Sequence, residues 1–119
     1  MKDILGAVCS GLCIIHCLAL PALIAAGTSF IGLVYLSAES THLWLSVVML
    51  IVALWALPAG WRAHKQFWPG LLGCLGVVLM AFALSATGAI EAYWTVACSV
   101  AFISGHLLNR HLLIRESTQ

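Results

Sequence analysis

The sequence predicts an all-α integral membrane protein in which four helices cross the bilayer as a bundle. Of its 119 residues, 63% are hydrophobic and only 8% are charged, and the mean hydropathy is +1.09. Soluble domains contain about 25% charged residues, so this composition excludes that class. Apolar runs cover most of the chain between short gaps. The chain is therefore predicted to be one transmembrane domain over residues 1–119.

Four apolar segments are long enough, or nearly so, to cross about 30 Å of hydrocarbon as helices. The first carries an internal histidine and lacks a convincing small-residue cleavage site, so we interpret it as a retained span rather than a signal peptide. Glycines and polar residues separate the segments. The predicted spans are residues 4–26, 42–59, 69–87 and 92–109.

The charge distribution predicts the orientation of these spans. The basic residues precede the first span, lie between the second and third, or follow the fourth: Lys2, Arg62, Lys65, Arg110 and Arg115. An even number of spans puts these three places on the same side of the membrane. The positive-inside rule makes that side cytoplasmic, together with both termini. The membrane orientation explains the positions of all five basic residues. The sequence therefore predicts no nucleic-acid partner.

The first span contains a set of soft-metal ligands on one face. At about 100° per residue, four side chains fall within roughly a quarter to a third of the helix circumference: Cys9, Cys13, His16 and Cys17. Thiolate and imidazole select thiophilic ions such as Hg(II), Cu(I), Zn(II) and Cd(II). Pro21 cannot donate to the Cys17 carbonyl, which favours a kink beside the ligands. These four side chains are predicted metal ligands, although buried cysteine also serves as small apolar filler.

Three further histidines are candidate ligands, because the chain has few other polar residues. His42 lies at the outer end of the second span, three residues after Glu39, and His64 lies in the cytoplasmic loop. His106 is about one turn inside the fourth span, where Asn109 could orient the imidazole. For His42 and His64, an interfacial histidine without a ligand is the alternative.

The sequence contains no motif of an enzyme, so no catalytic activity is predicted. It has no nucleotide-binding glycine loop, zinc-protease signature or plausible serine triad. The order C-x-x-H-C from Cys13 to Cys17 differs from the C-x-x-C-H of covalent haem attachment. Cys74 and Cys98 could complete a metal site only if their helices face the first span, which the sequence leaves open.

Several short motifs resemble those of the MerC mercury-resistance family, small four-span inner-membrane proteins linked to mercuric-ion uptake. In the first span they are Cys13-Ile14-Ile15-His16-Cys17 and Pro21-Ala22-Leu23. Further along they are Gly60-Trp61, His64, Gln66, Leu71-Leu72-Gly73, and His106 with Asn109. The resemblance implies a multi-pass protein of the bacterial inner membrane that takes up Hg(II). The ion would move by ligand exchange from Cys13 and Cys17 toward Cys9, with His16 as a weaker neighbouring ligand, and then to a cytosolic thiol acceptor or reductase.

Two features differ from that family and leave alternatives open. Histidine stands inside the first-span motif, and no cysteine follows Cys98, so the C-terminal tail cannot relay an ion between thiols. The ion could instead be Zn(II) or another borderline ion held by His16, His64 and His106. A membrane haem or redox protein and a small structural subunit are further alternatives. An oligomer is compatible with the sequence.

Overall fold

The computed structural model describes residues 1–27 and 39–118, and within these ranges it contains four α-helices. Their bounds are α1 Lys2–Ala25, α2 Glu39–His64, α3 Trp68–Ser85 and α4 Ala89–Ser117. The prediction of an all-α fold is confirmed for this part of the chain. The main differences from the predicted spans are that α2 extends past both ends of 42–59 and that α4 continues well beyond residue 109.

Prolines do not end the helices, whereas left-handed residues mark two of the turns. Helix α1 continues past Pro21 to Ala25, and α2 contains Pro58 in its interior. Membrane helices tolerate proline because neighbouring helices satisfy the backbone groups that it frees. Lys65, with a φ of 56°, directly follows α2, and Gly88, with a φ of 66°, directly precedes α4.

The buried positions recur at alternating spacings of three and four residues along the helices. In α1 they are Asp3, Gly6, Ser10 and Cys13, with partly buried Cys17 next in the series. In α3 they are Pro69, Gly73, Gly76, Met80 and Ala83. This spacing is typical of helices packed side by side along their length. The metal-ligand stripe predicted in the first span therefore coincides only in part with the buried face of α1.

The four helices form an up-down-up-down bundle. Helices α2 and α4 contact each other, and α1 and α3 each contact both of them. The starts of α2 and α4 meet at His42 and Glu91, whereas Asp3 at the start of α1 meets Asn109 toward the end of α4. Phe82 near the end of α3 stacks on Trp94 near the start of α4. Helices α1 and α3 are therefore antiparallel to α2 and α4.

The apolar core lies between α2, α3 and α4. It consists of Met49, Ala53, Leu57, Met80, Cys98 and Phe102. The ring of Phe102, fully buried, lies against Gly76, where an added Cβ would come within 2.9 Å of the ring. Glycine thus lets α3 approach α4 closely, as small residues do between membrane helices.

Polar side chains lie inside the bundle and large apolar side chains lie on its surface. The buried polar residues are Asp3, Ser10, His42, Ser46, His64, Thr95, Ser99, His106 and Asn109. The exposed apolar residues include Leu5, Leu12, Ile15, Leu54, Leu71, Leu75, Val78 and Phe82. Such a surface is suited to lipid rather than to water.

Three of the four helices contain stretches long and apolar enough to cross a membrane. These stretches are Lys2–Ala19, Thr41–His64 and Trp68–Ser85. Helix α4 is less apolar because it carries Thr95, Ser99, His106 and Asn109, but all four of these residues are buried against the other helices. The outer face of α4 is therefore more apolar than the helix is on average.

Candidate metal site

Thiol and imidazole groups from two helices meet where α2 and α4 begin. In the described part of the chain, Cys13, Cys17 and His42 form one group whose ligand atoms all lie within 4.8 Å of one another. The Sγ atom of Cys17 is 3.7 Å from Nε2 of His42. Cys13 and His42 are buried, and Cys17 is partly buried. We call these three residues the thiol–imidazole cluster.

Helix geometry explains how this cluster forms. Cys13 and Cys17 are four residues apart, so their side chains lie one above the other on the same face of α1. His42 lies in the first turns of α2, which runs antiparallel to α1 and brings the imidazole opposite the thiols. Cys17 and His42 both lie near an end of the apolar stretches Lys2–Ala19 and Thr41–His64. The cluster is therefore near one end of the bundle, rather than half-way along it.

Two side chains from α4 orient the imidazole of His42. Its Nδ1 lies 2.7 Å from Oε1 of Glu91. A carboxylate accepts here, so Nδ1 is the nitrogen that donates. The Nε2 atom faces Cys17 and the hydroxyl of Thr95 at 3.3 Å, and in the neutral ring it is the nitrogen with the free lone pair. The side chain of Glu39, which the sequence places near His42, lies outside the described residues.

The other predicted ligands of the first span flank this cluster. Cys9 lies one turn closer to the start of α1 than Cys13 and is partly buried. His16 is also partly buried. Neither belongs to the group of close ligand atoms found in the described residues. Cys98 is buried in the apolar core, whereas Cys74 is exposed on α3, and all five cysteines are free thiols.

His64 and His106 lie at the opposite end of the bundle, in a second polar cluster with Asp3 and Asn109. The backbone N–H of Gln66 donates to Nδ1 of His64 at 3.0 Å, so the Nε2–H of His64 donates to Oδ1 of Asn109 at 2.9 Å. The amide of Asn109 donates to Oδ1 of Asp3 at 2.8 Å, and Nδ1 of His106 lies 3.3 Å from the same oxygen. We call Asp3, His64, His106 and Asn109 the carboxylate–amide cluster.

Two glycines allow the carboxylate–amide cluster to pack closely. A Cβ added at Gly6 would overlap the ring of His106, and one at Gly60 would overlap the side-chain amide of Asn109. The Nε2 atom of His106 is buried without a hydrogen-bond partner among the described residues and lies on the side of the ring that faces Gly6. The main chain of α1 therefore covers this nitrogen and leaves no room for an ion beside it.

The two clusters cannot share one metal ion. His42 and His64 lie near opposite ends of α2, roughly 33 Å apart at about 1.5 Å per residue. The structure thus brings His42 to the predicted thiols, but it does not bring His64 or His106 there.

The sequence analysis did not identify Glu91, Thr95 or Asp3 as parts of a site. A signal for the first two was available: Glu91, Thr95 and Ser99 recur every four residues along one face of an otherwise apolar helix. For Asp3 the available signal was its phase, because it lies three residues before Gly6 in the series of buried positions of α1.

A helical bundle with an apolar surface is typical of a membrane protein, and its group of two thiols and an imidazole is of a kind that could hold a soft metal ion. A family model described as MerC mercury resistance protein matches residues 3–111. The chain belongs to this family, which makes it a membrane protein of mercury resistance and metal transport. Searches of curated proteins and of solved structures gave no match. The resemblance to this family that the sequence predicted is thereby confirmed.

Proposed function

We propose that this protein binds Hg(II) between Cys13 and Cys17 and transfers it across the membrane. The pairing of these thiols one helical turn apart inside an apolar bundle is the observation that supports the proposal. Hg(II) bound by two thiolates has no net charge. Its burial therefore avoids most of the cost of moving a dication into a low-dielectric interior.

Transfer proceeds by exchange of sulfur ligands. An incoming thiolate forms a new Hg–S bond, the bond to the outgoing sulfur breaks, and that sulfur takes up a proton. Successive thiols on α1, at Cys17, Cys13 and Cys9, are spaced about 6 Å apart along the axis. The Nε2 atom of His42, 3.7 Å from Sγ of Cys17, is placed to accept the proton that this thiol loses. His16 stands beside the route as a weaker ligand.

We also propose a topology for this transfer. All four helices span the bacterial inner membrane with both termini in the cytoplasm, in accordance with the distribution of Lys and Arg. The burial of the polar residues of α4 supports its role as the fourth span. In this orientation the thiol–imidazole cluster lies near the outer surface and receives the ion. A cytosolic thiol acceptor or reductase removes it on the other side.

A second candidate function is binding of a borderline ion such as Zn(II). The specific observation in its favour is His42, because a nitrogen ligand beside two thiolates suits Zn(II) better than it suits two-coordinate Hg(II). His64 and His106 give this alternative no support, because they lie at the far end of the bundle.

Uptake into lipid vesicles tests the proposed transfer. Purified protein is reconstituted in vesicles that contain trapped glutathione, and Hg(II) is added outside in chloride-free buffer, since neutral HgCl₂ would cross lipid unaided. We expect uptake with the wild-type chain and background uptake with Cys17→Ser, because oxygen replaces the soft sulfur. Cys74→Ser, which alters an exposed thiol, is the matched control. Equal uptake by Cys17→Ser and the wild type would refute the proposal.

A further inference from the structure

We propose that Glu91 is a positioning residue that holds His42 as a third ligand of the thiol–imidazole cluster, and that it thereby sets the affinity of the site for borderline ions such as Zn(II). This inference rests on the proposed role of Cys13 and Cys17 as metal ligands. It adds a second coordination mode to the same site: two thiolates suffice for Hg(II), whereas Zn(II) also needs the imidazole.

Two hydrogen-bonding contacts of His42 fix the orientation of its ring. Glu91 accepts from Nδ1 at 2.7 Å, and the Thr95 hydroxyl lies 3.3 Å from Nε2. In the neutral ring, a carboxylate that accepts from Nδ1 leaves the lone pair on Nε2, and the Thr95 hydroxyl is free to donate to that lone pair. The geometry thus places Nε2 in the space between His42 and the thiols, where it can bind a metal ion.

Glu91 comes from a different helix than the residues it would help to position. It belongs to the first turn of α4, while the thiols belong to α1 and the imidazole to α2. The contact with Glu91 therefore joins α4 to α2, and it fixes the imidazole on the side of α2 that faces the thiols of α1. A carboxylate that accepts from the outer nitrogen of a ligating histidine fixes the ring and strengthens its other nitrogen as a donor to metal.

His42 and Glu91 differ in how far their side chains are buried. The side chain of His42 is 11% exposed, and that of Glu91 is 36% exposed. The imidazole is thus enclosed while its carboxylate partner reaches the edge of the bundle. With Zn(II), two thiolates and a neutral imidazole balance the charge of the ion. The carboxylate then acts through the ring and occupies no coordination position.

Parallel affinity measurements test the assignment. Reduced, purified protein is titrated with Zn(II) against a chromophoric chelator and with Hg(II) against a competing thiol. Loss of a residue that orients a metal ligand costs about 10- to 100-fold in affinity, and we expect a loss of that size for Zn(II) in Glu91→Gln. The Hg(II) affinity of the same variant should stay within about threefold of wild type, because its two sulfur ligands remain. Glu116→Gln, an exposed carboxylate on the same helix, is the matched control.

Two further measurements separate positioning from a merely structural role. Co(II), used as a spectroscopic substitute for Zn(II), should show an altered ligand-field spectrum in Glu91→Gln. Glu91→Asp, which keeps the charge, should recover part of the Zn(II) affinity. Unchanged Zn(II) affinity in Glu91→Gln would overturn the inference and leave Hg(II) binding intact. Equal losses for both ions would also overturn it, because they would indicate a damaged fold. Failure of the wild-type chain to bind Hg(II) would instead refute the proposed function itself.

Discussion

The two polar clusters of this bundle both contain a histidine paired with a carboxylate. They differ in the surroundings of the second ring nitrogen, Nε2, of that histidine. Each pairs a buried histidine with a carboxylate on another helix, Glu91 for His42 and Asp3 for His106. The Nε2 atom of His42 faces Cys17 and Thr95, whereas the Nε2 atom of His106 faces the main chain near Gly6. The first arrangement presents a lone pair to thiols. The second fills the same position with backbone.

This difference assigns the clusters separate roles. The carboxylate–amide cluster joins the start of α1, the end of α2 and the last third of α4 through a continuous set of hydrogen bonds. Such an arrangement holds helices in register. In the thiol–imidazole cluster, by contrast, three potential metal-ligand atoms lie within 4.8 Å of one another. A buried histidine in a membrane helix is therefore a ligand or a packing residue according to its surroundings.

The largest effect is expected when both thiols of the thiol–imidazole cluster are removed. This change should lower the affinity for Hg(II) and leave the carboxylate–amide cluster intact. The variant with Cys13→Ser and Cys17→Ser should lose Hg(II) affinity by at least about 100-fold, or about 2.8 kcal/mol, because no soft ligand pair remains. Competition with a small thiol measures this loss. The melting temperature should stay close to that of wild type, since serine is similar in size to cysteine. Retained tight binding would mean that another part of the chain holds the ion.

The opposite pattern is expected when the carboxylate–amide cluster is broken. Asn109→Leu removes the partners of His64 and Asp3, and leaving such groups buried and unpaired should lower the free energy of unfolding by about 2–3 kcal/mol. Unfolding in mixed detergent micelles measures it, with Hg(II) affinity followed in parallel. Gln66→Ala is the control, because Gln66 contributes its backbone N–H to the cluster. A large loss of Hg(II) affinity at unchanged stability would contradict the division of roles.

A single methyl group at Gly6 tests how closely the carboxylate–amide cluster is packed. Gly6→Ala would place a Cβ against the ring of His106, and such overpacking costs about 1–3 kcal/mol. Gly11→Ala on the same helix meets no other atom within 4 Å and should be neutral or stabilising. Thermal unfolding of the two variants compares them directly. Equal stability would show that the ring does not lie against α1.

The smallest effect is expected at the boundary of the thiol–imidazole cluster. Cys9 lies outside the group of close ligand atoms, so Cys9→Ser should change the equilibrium affinity for Hg(II) by less than about twofold. Uptake into vesicles should slow, because the thiol that follows Cys13 on the route is absent. An affinity loss equal to that of Cys17→Ser would show that Cys9 is a primary ligand.

The helical membrane fold and the pairing of Cys13 with Cys17 could be predicted from the sequence, because both follow from local patterns. Long apolar runs predict helices in a membrane, and a separation of four residues fixes Cys13 and Cys17 on one face whatever the rest of the chain does. The length of α4 was not predicted, because hydropathy reports where the apolar stretch ends and not where the helix ends. The segment after residue 109 is helical although it is charged.

The partners of the histidines could not be predicted, because they depend on helix order and register. His42 and Glu91 are 49 residues apart, and His106 and Asp3 are 103 residues apart. Five histidines on three of the four helices allow many pairings, and hydrophobic spacing does not distinguish among them. The sequence therefore grouped His64 and His106 with the thiols as candidate ligands, whereas packing places them in a cluster of their own.

Binding of Hg(II) by Cys13 and Cys17 together can be measured on a chain that retains only these two cysteines. Cys9, Cys74 and Cys98 are replaced by serine, and X-ray absorption at the mercury edge reports the ligands of the bound ion. We expect one Hg(II) per chain with two sulfur ligands, as in the wild type. Absence of binding, or a mercury ion with a single sulfur ligand, would contradict this expectation.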